Sequence, residues 1–276
     1  MPADSGGRTA ACGRIRYLRL FAIALTALLS AAAWPARAAA DGGGVPDIVN
    51  GALSTTWPGI GAIIIDANSQ CTGELIAPQW VLTAAHCVVG GSSFQFTSAN
   101  NYLDPNAVFF AADASYADPA YNGDPSQGGD VGLLHFPSPI PAMPLRLNDG
   151  SGAPHTGDTV AIMGYGLESP SGNNSSKRIG YATIASTSGG LLEIDPGGAN
   201  GCFGDSGGAL FTIGADGFPL ILGVMSFGDQ NCTFTFADPI PGVLAFIESG
   251  ASGLCLASTA GPPCDGVFTS AFELAF

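Results

Sequence analysis

Positive charge is scarce in this chain. Its 276 residues hold 8 Lys and Arg against 22 Asp and Glu, a formal net charge of −14. Such a balance excludes a surface built to hold nucleic acid or anionic lipid, both of which need clustered cations. Charged residues of either sign make up only 11% of the chain. Histidine is rare too, with only His86, His135 and His155. No CxxC pair or His/Cys cluster occurs, so metal-ligand spacing is missing and no metal is implied. After residue 40, no apolar run is long enough to cross a bilayer. No internal repeat is present. What is abundant is apolar surface (46%), with 40 Gly and 20 Pro. That mixture suits a sizeable core of short strands joined by many turns, and therefore an all-β fold rather than a helical one.

The N-terminus reads as a secretory signal. Arg14, Arg16 and Arg19 form a basic segment, Leu20 to Ala33 an apolar core, and the small residues from Ala36 to Ala40 a cleavage region. A membrane anchor is the rival reading, but the apolar run is short and small residues follow it. Residues 1–40 are therefore expected to leave, and residues 41–47 form a short Gly-rich acidic segment before Ile48. Loss of residues 1–40 removes five arginines and Asp4, leaving 3 basic and 21 acidic residues. A secreted or periplasmic location follows, with no stable membrane association afterwards. Cys12 leaves with the signal, and six cysteines remain, as in exported disulfide-bonded proteins. Six cysteines allow fifteen pairings.

Three separated stretches carry the chemistry. Phe203-Gly204-Asp205-Ser206-Gly207-Gly208 sets a serine on a Gly-rich turn, where a hydroxyl can be exposed beside backbone N–H groups. A Gly/Asp/Ser surface turn would look much the same. A serine nucleophile needs a base, and the base an orienting group. Thr83-Ala84-Ala85-His86-Cys87, after the apolar Trp80-Val81-Leu82, supplies a histidine. Asp130, at the head of Val131-Gly132-Leu133-Leu134, supplies a carboxylate. The order along the chain is His, Asp, Ser.

These motifs, from about Ile48 to Gly250, resemble the chymotrypsin/trypsin-like serine endopeptidases, and secreted bacterial members among them. The resemblance implies two six-stranded antiparallel β-barrels, a short C-terminal helix and an appended tail. It implies roles for Ser206 as nucleophile, His86 as base and Asp130 as orienting group, with the N–H groups of Gly204 and Ser206 as the oxyanion hole. It implies the disulfides Cys71–Cys87 and Cys202–Cys232, which leave Cys255 and Cys264 for each other. Ile48-Val49-Asn50-Gly51 is similar to the processed N-terminus of relatives, where a freed α-amino group pairs with the aspartate before the nucleophile, here Asp205. Asp47 stands where many zymogens carry a basic residue, so a trypsin-like activator would not cut there. The simpler reading is that Ile48-Val49 begins a strand.

Substrate preference is read from the same resemblance. Relatives that cut after Lys or Arg carry an aspartate six residues before the nucleophile, and here that residue is Asn200. A neutral amide offsets a buried cation poorly. Phe203 and Gly228 belong to the pocket mouth, and Ser226-Phe227-Gly228 to the strand that pairs with an extended peptide. Neutral, apolar P1 residues are expected. Protein or peptide substrates, no cofactor and a monomer complete the reading. The expected divisions are a signal peptide (1–40), a short propeptide (41–47), a protease domain (48–250) and a tail with a small disulfide loop (251–276). The rivals are an inactive protease-fold binding protein, an unactivated zymogen, a disulfide-stapled adhesive domain and an α/β-hydrolase. The last uses the order Ser, acid, His, which is not the order here.

Overall fold

The computed structural model describes residues 48–214 and 216–259. The expected signal peptide, the segment 41–47 and Cys264 lie outside those residues. Fifteen strands run in chain order: β1 Ala52–Leu53, β2 Ile60–Ile65, β3 Ser69–Ala77, β4 Trp80–Thr83, β5 Phe94–Thr97, β6 Phe110–Ala111, β7 Ala114–Ala117, β8 Gly132–His135, β9 Arg146–Leu147, β10 Thr159–Gly164, β11 Arg178–Ser186, β12 Leu192–Ile194, β13 Ala209–Ile213, β14 Pro219–Gly228 and β15 Thr235–Pro239. Two helices join them: α1 Ala85–Val88, between β4 and β5, and α2 Ile240–Gly250, after β15. Among the described residues no helix is long and apolar enough to cross a membrane.

The strands form two sheets. The C-terminal one runs β11-β10-β13-β14-β15-β12 and closes on itself through the β11–β12 pairing, a six-stranded barrel, with β1 paired onto the outside of β11. The N-terminal one runs β6-β5-β2-β3-β4-β8-β7 as a curled half-barrel whose end strands do not pair with each other among the described residues. The two-barrel expectation thus holds, with only the second barrel closed by hydrogen bonds. All these pairings are antiparallel except β9 with β14. Ile60, Leu82, Leu133, Met163, Phe211 and Ile247 share one buried cluster that draws residues from both sheets and from α2. Pro241 sits in the first turn of α2, where its missing N–H is no loss.

Register in the N-terminal sheet brings His86 to Asp130. β4 pairs with β8 so that Thr83 faces Gly132. The chain just after Thr83 and just before Gly132 therefore emerges at the same sheet edge. Cys71 on β3 bonds to Cys87 on α1, which ties the His86 turn down from the other side. In the closed barrel, Ala209 on β13 faces Val224 on β14. The Met225 N–H donates to the Gly208 carbonyl, and the Gly207 N–H to the Met225 carbonyl. Ser206 and Ser226 thus leave that barrel side by side.

One core position carries a cost. Glu74 on β3 is fully buried and both carboxylate oxygens lack a hydrogen-bond partner. Burial pushes its carboxyl well above the ordinary value. A carboxyl whose folded pKa is raised binds protons more tightly in the native state, so stability falls as pH rises above the unfolded value of about 4.3. Glu74→Gln is expected to leave Tm unchanged near pH 4 and to raise it at pH 8. Each kcal/mol recovered corresponds to roughly 2–4 °C for a domain of this size. Calorimetry at the two pH values checks this, and a lower Tm for the variant at pH 8 would refute it.

Candidate active site

His86 Nδ1 lies 2.7 Å from Asp130 Oδ2, and the His86 backbone N–H donates to Asp130 Oδ1 at 2.9 Å. Asp130 is fully buried, while the His86 side chain is 35% exposed. Ser226 on β14 adds a third donor, its hydroxyl 2.5 Å from Asp130 Oδ2. Burial would raise the Asp130 carboxyl, but the bonds from His86 and Ser226 outweigh it and hold it below the ordinary range. The result is a buried anion that fixes one imidazole nitrogen and leaves the other turned outward.

Ser206 and His86 line the same open cleft of about 290 Å³. Among the described residues no hydrogen bond joins the Ser206 hydroxyl to the imidazole. The Ser206 turn is held by its backbone: its carbonyl accepts from the Thr72 N–H at 2.9 Å, and the Thr72 hydroxyl donates to the Gly204 carbonyl at 2.9 Å. Gly204 has φ +98°, a conformation open to glycine and strained for other residues.

Asp205 is buried behind that turn. Its Oδ1 accepts from the Gly166 N–H at 2.7 Å and its Oδ2 from the Cys202 N–H at 2.9 Å. A side chain on Gly164 or Gly166 would run into this carboxylate. Gly164-Tyr165-Gly166 is thus a cradle for Asp205. Burial pushes the Asp205 carboxyl up to about 7, against the pull of the two N–H groups. Ile48, its expected partner, is fully buried among Val160, Ala199, Leu210 and Met225. Rather than entering a regular strand, Ile48-Val49 makes a single bridge, Val49 to Asn200. Asp205 makes no ion pair among the described residues.

The cleft is lined by Gly201, Met225 and Thr235, by Cys202 and Cys232, which are bonded to each other, and by Phe203, Ser226, Phe227 and Gly228. Phe203 is 54% exposed at the mouth. Asn200 departs from expectation, because it does not line the cleft. Its N–H is held by the Val49 carbonyl, and its side-chain amide donates to the Asp195 carbonyl at 3.1 Å, which turns it to the loop. Asp229 does lie at the rim, but its carboxylate accepts from the Thr233 and Phe234 N–H groups and the Thr233 hydroxyl. Tyr121 and Pro125 form the opposite wall. The lining role of Met225 and Thr235 had no local sequence signal.

A second, larger groove of about 640 Å³ meets the cleft at Phe203. Gln70, Gln95, Tyr102, Leu103 and Leu167 line it, without a charged side chain. The loops on its two sides are tied together: the Tyr102 N–H donates to the Ser175 carbonyl and the Tyr102 hydroxyl to the Asn174 carbonyl, both at 2.9 Å.

Cys71, His86 and Cys87 bring their ligand atoms within 4.8 Å of one another. Both sulfurs are committed to one disulfide, which leaves a single nitrogen and no ligand set for a metal. Cys202–Cys232 is likewise formed. Cys255 is disulfide-bonded, and its expected partner Cys264 lies outside the described residues.

The family model described as Trypsin matches residues 48–247. Relatives include a protein named brachyurin from Leptuca pugilator, 28% identical over 71% of this chain and 93% of its own length. A trypsin from Saccharopolyspora erythraea is 27% identical over 59% of this chain and 78% of its own. The beta-fibrinogenase brevinase of Gloydius blomhoffii is 28% identical over 62% and 79%.

Proposed function

From the chain's membership of the trypsin family of serine proteases, we propose that it is a serine endopeptidase using Ser206, His86 and Asp130. The observation that supports this most is the Asp130–His86 bond at the wall of the cleft that holds Ser206. In the proposed reaction Ser206 Oγ turns onto the free imidazole nitrogen and attacks the peptide carbonyl. His86 takes the hydroxyl proton and then gives it to the leaving amine. Water hydrolyses the acyl-enzyme by the same exchange. Asp130 keeps the imidazole in one tautomer and stabilises the imidazolium. The N–H groups of Gly204 and Ser206 receive the oxyanion, each contributing on the order of a hundredfold in turnover.

Ser226, Phe227 and Gly228 hold the acyl side of an extended peptide, with the strand backbone pairing to it. The uncharged Met225, Thr235 and Gly201 walls favour a neutral, apolar P1 residue. Asn200 contributes by anchoring the loop rather than by touching substrate. The charge-free groove beyond Phe203 takes the leaving-group side. Residues 1–40 direct export, residues 41–47 are removed, residues 48–250 form the protease, residues 251–276 are a tail, and the mature protein is a secreted or periplasmic monomer. The unprocessed chain is the inactive precursor, a reading favoured by the absence of an ion pair on Asp205 among the described residues.

Digestion of a peptide library with every P1 residue represented tests the specificity. Cuts after Leu, Phe or other neutral residues are expected to dominate by at least about tenfold, the worth of one lost charge pairing. A preference for Lys or Arg would contradict the assignment.

A further inference from the structure

Asp238 stands on β15 opposite Val224 of β14, two residues from the Ser226 that donates to Asp130. It is 1% exposed. Its Oδ1 accepts from the Gly129 N–H at 2.7 Å, the residue immediately before Asp130. Its Oδ2 is buried without a hydrogen-bond partner. Gly128 and Gly129 both have positive φ, +78° and +75°, so the chain enters Asp130 through two left-handed residues fastened to this one carboxylate. The enzyme reading uses none of this.

We propose that Asp238 is a positioning residue for the Asp130–His86 pair: it fastens the backbone that carries Asp130 and sets a second buried negative charge beside it. The proposal rests on the protease reading only for its effect on turnover. Asp130 accepts three donors and is a satisfied anion. Asp238 accepts from Gly129 and keeps one oxygen bare, so it is the weaker acid of the two. Burial pushes its carboxyl up to about 6, the Gly129 and Asp130 N–H groups oppose this, and the charges of Asp130 and Asp118 add to it. Those two carboxylates are the ionisable groups that act on it, one from the loop before β8 and one following β7. Above about pH 6 Asp238 carries its charge, and a negative charge near the imidazole's anchor favours imidazolium. The imidazolium forms in the acylation transition state, so the same charge favours turnover.

The test replaces the charge and keeps the acceptor. Asp238→Asn retains an oxygen for the Gly129 N–H, and Asp238→Thr offers a hydroxyl on a strand position that suits a β-branched residue. The chain has only three histidines, so His86 can be followed by NMR through its ring protons, in the chain beginning at Ile48. In both variants the low-field Nδ1–H resonance of His86, which is bonded to Asp130, is expected to move, while the ring resonances of His135 and His155 stay in place. The acid limb of kcat/KM should shift to lower pH by about half a unit, the size of one like-charge interaction across a partly screened interior, with kcat a few-fold lower and KM unchanged. A His86 resonance identical to wild type in a folded variant overturns the proposal. A moved resonance in a chain that hydrolyses no peptide would instead refute the protease reading and leave the assignment of Asp238 intact.

Discussion

Ser206→Ala is expected to lower kcat for peptide hydrolysis by about a millionfold, with KM and Tm close to wild type. The oxygen that would be lost makes no hydrogen bond that holds the fold among the described residues, since the turn is fastened through the Ser206 carbonyl and Thr72. Asp130→Asn should cost about ten-thousandfold, because an amide can present its N–H to the imidazole and stabilise the wrong tautomer. The two losses should not add. Once Ser206 is gone there is no proton for His86 to accept, and the second change has nothing further to remove. Single-turnover kinetics on an activated ester, with each variant alone and combined, checks both statements. A Ser206→Ala variant that keeps more than about a hundredth of wild-type turnover would end the nucleophile assignment.

Cleavage between Asp47 and Ile48 is expected to raise activity by on the order of a thousandfold or more, the scale on which an oxyanion donor acts. Two features of the unprocessed chain point this way. Ile48 is a β-branched residue at φ +39°, a conformation that costs about 1–2 kcal/mol and ceases to be constrained once the preceding peptide bond is cut. Asp205 is buried, which pushes its carboxyl up to about 7 against the pull of two N–H groups, and no cation pairs with it among the described residues. Its folded pKa lies above the unfolded value near 3.9. The unprocessed protein therefore loses stability as pH rises from about 4 to about 7, and gains nothing back above that. A new α-ammonium at Ile48 would reverse the sign: with a cation beside it, the carboxylate becomes the favoured form and its pKa falls. Tm measured from pH 4 to 8 should decline more steeply for the unprocessed chain than for the processed one, where only the buried Glu74 and Asp238 still oppose stability as pH rises. Asp205→Asn should flatten the decline in the former. Activity of the processed chain should fade as its α-amino group deprotonates, near pH 8 if unperturbed and higher when paired. Equal activity of the two forms would contradict the coupling.

Much of this was legible before any coordinates. Ile60–Ile65, Trp80-Val81-Leu82 and Leu220 to Met225 are apolar runs between turn residues, and each lies in a strand. The terminal helix was expected from Pro241 and begins one residue earlier, at Ile240. The short strands β7, β9 and β12 were not visible, because runs of two to four residues carry no period to read. Of the apolar Val108-Phe109-Phe110, only Phe110 enters a strand, as β6 pairs through Phe110 and Ala111. At the site, motifs pointed to His86, Asp130 and Ser206, since each sits in a distinctive local pattern. They could not identify what holds them. Ser226 was read as a peptide contact, yet its hydroxyl is on Asp130. Thr72, the Gly164–Gly166 cradle and Asp238 act from strands far away in sequence, and single residues in ordinary strand contexts leave no local signature. Asn200 shows the opposite failure: its spacing from Ser206 pointed to the cleft, while its backbone bridge to Val49 turns the side chain elsewhere.

Labelling with an organophosphonate probe tests the central claim most directly. The chain beginning at Ile48 would be treated with the probe, digested and mapped by mass spectrometry, with Ser206→Ala as control. The account predicts one adduct, on Ser206, and none on the control. A folded protein that takes no label at Ser206, or takes it equally well elsewhere in the control, would contradict it.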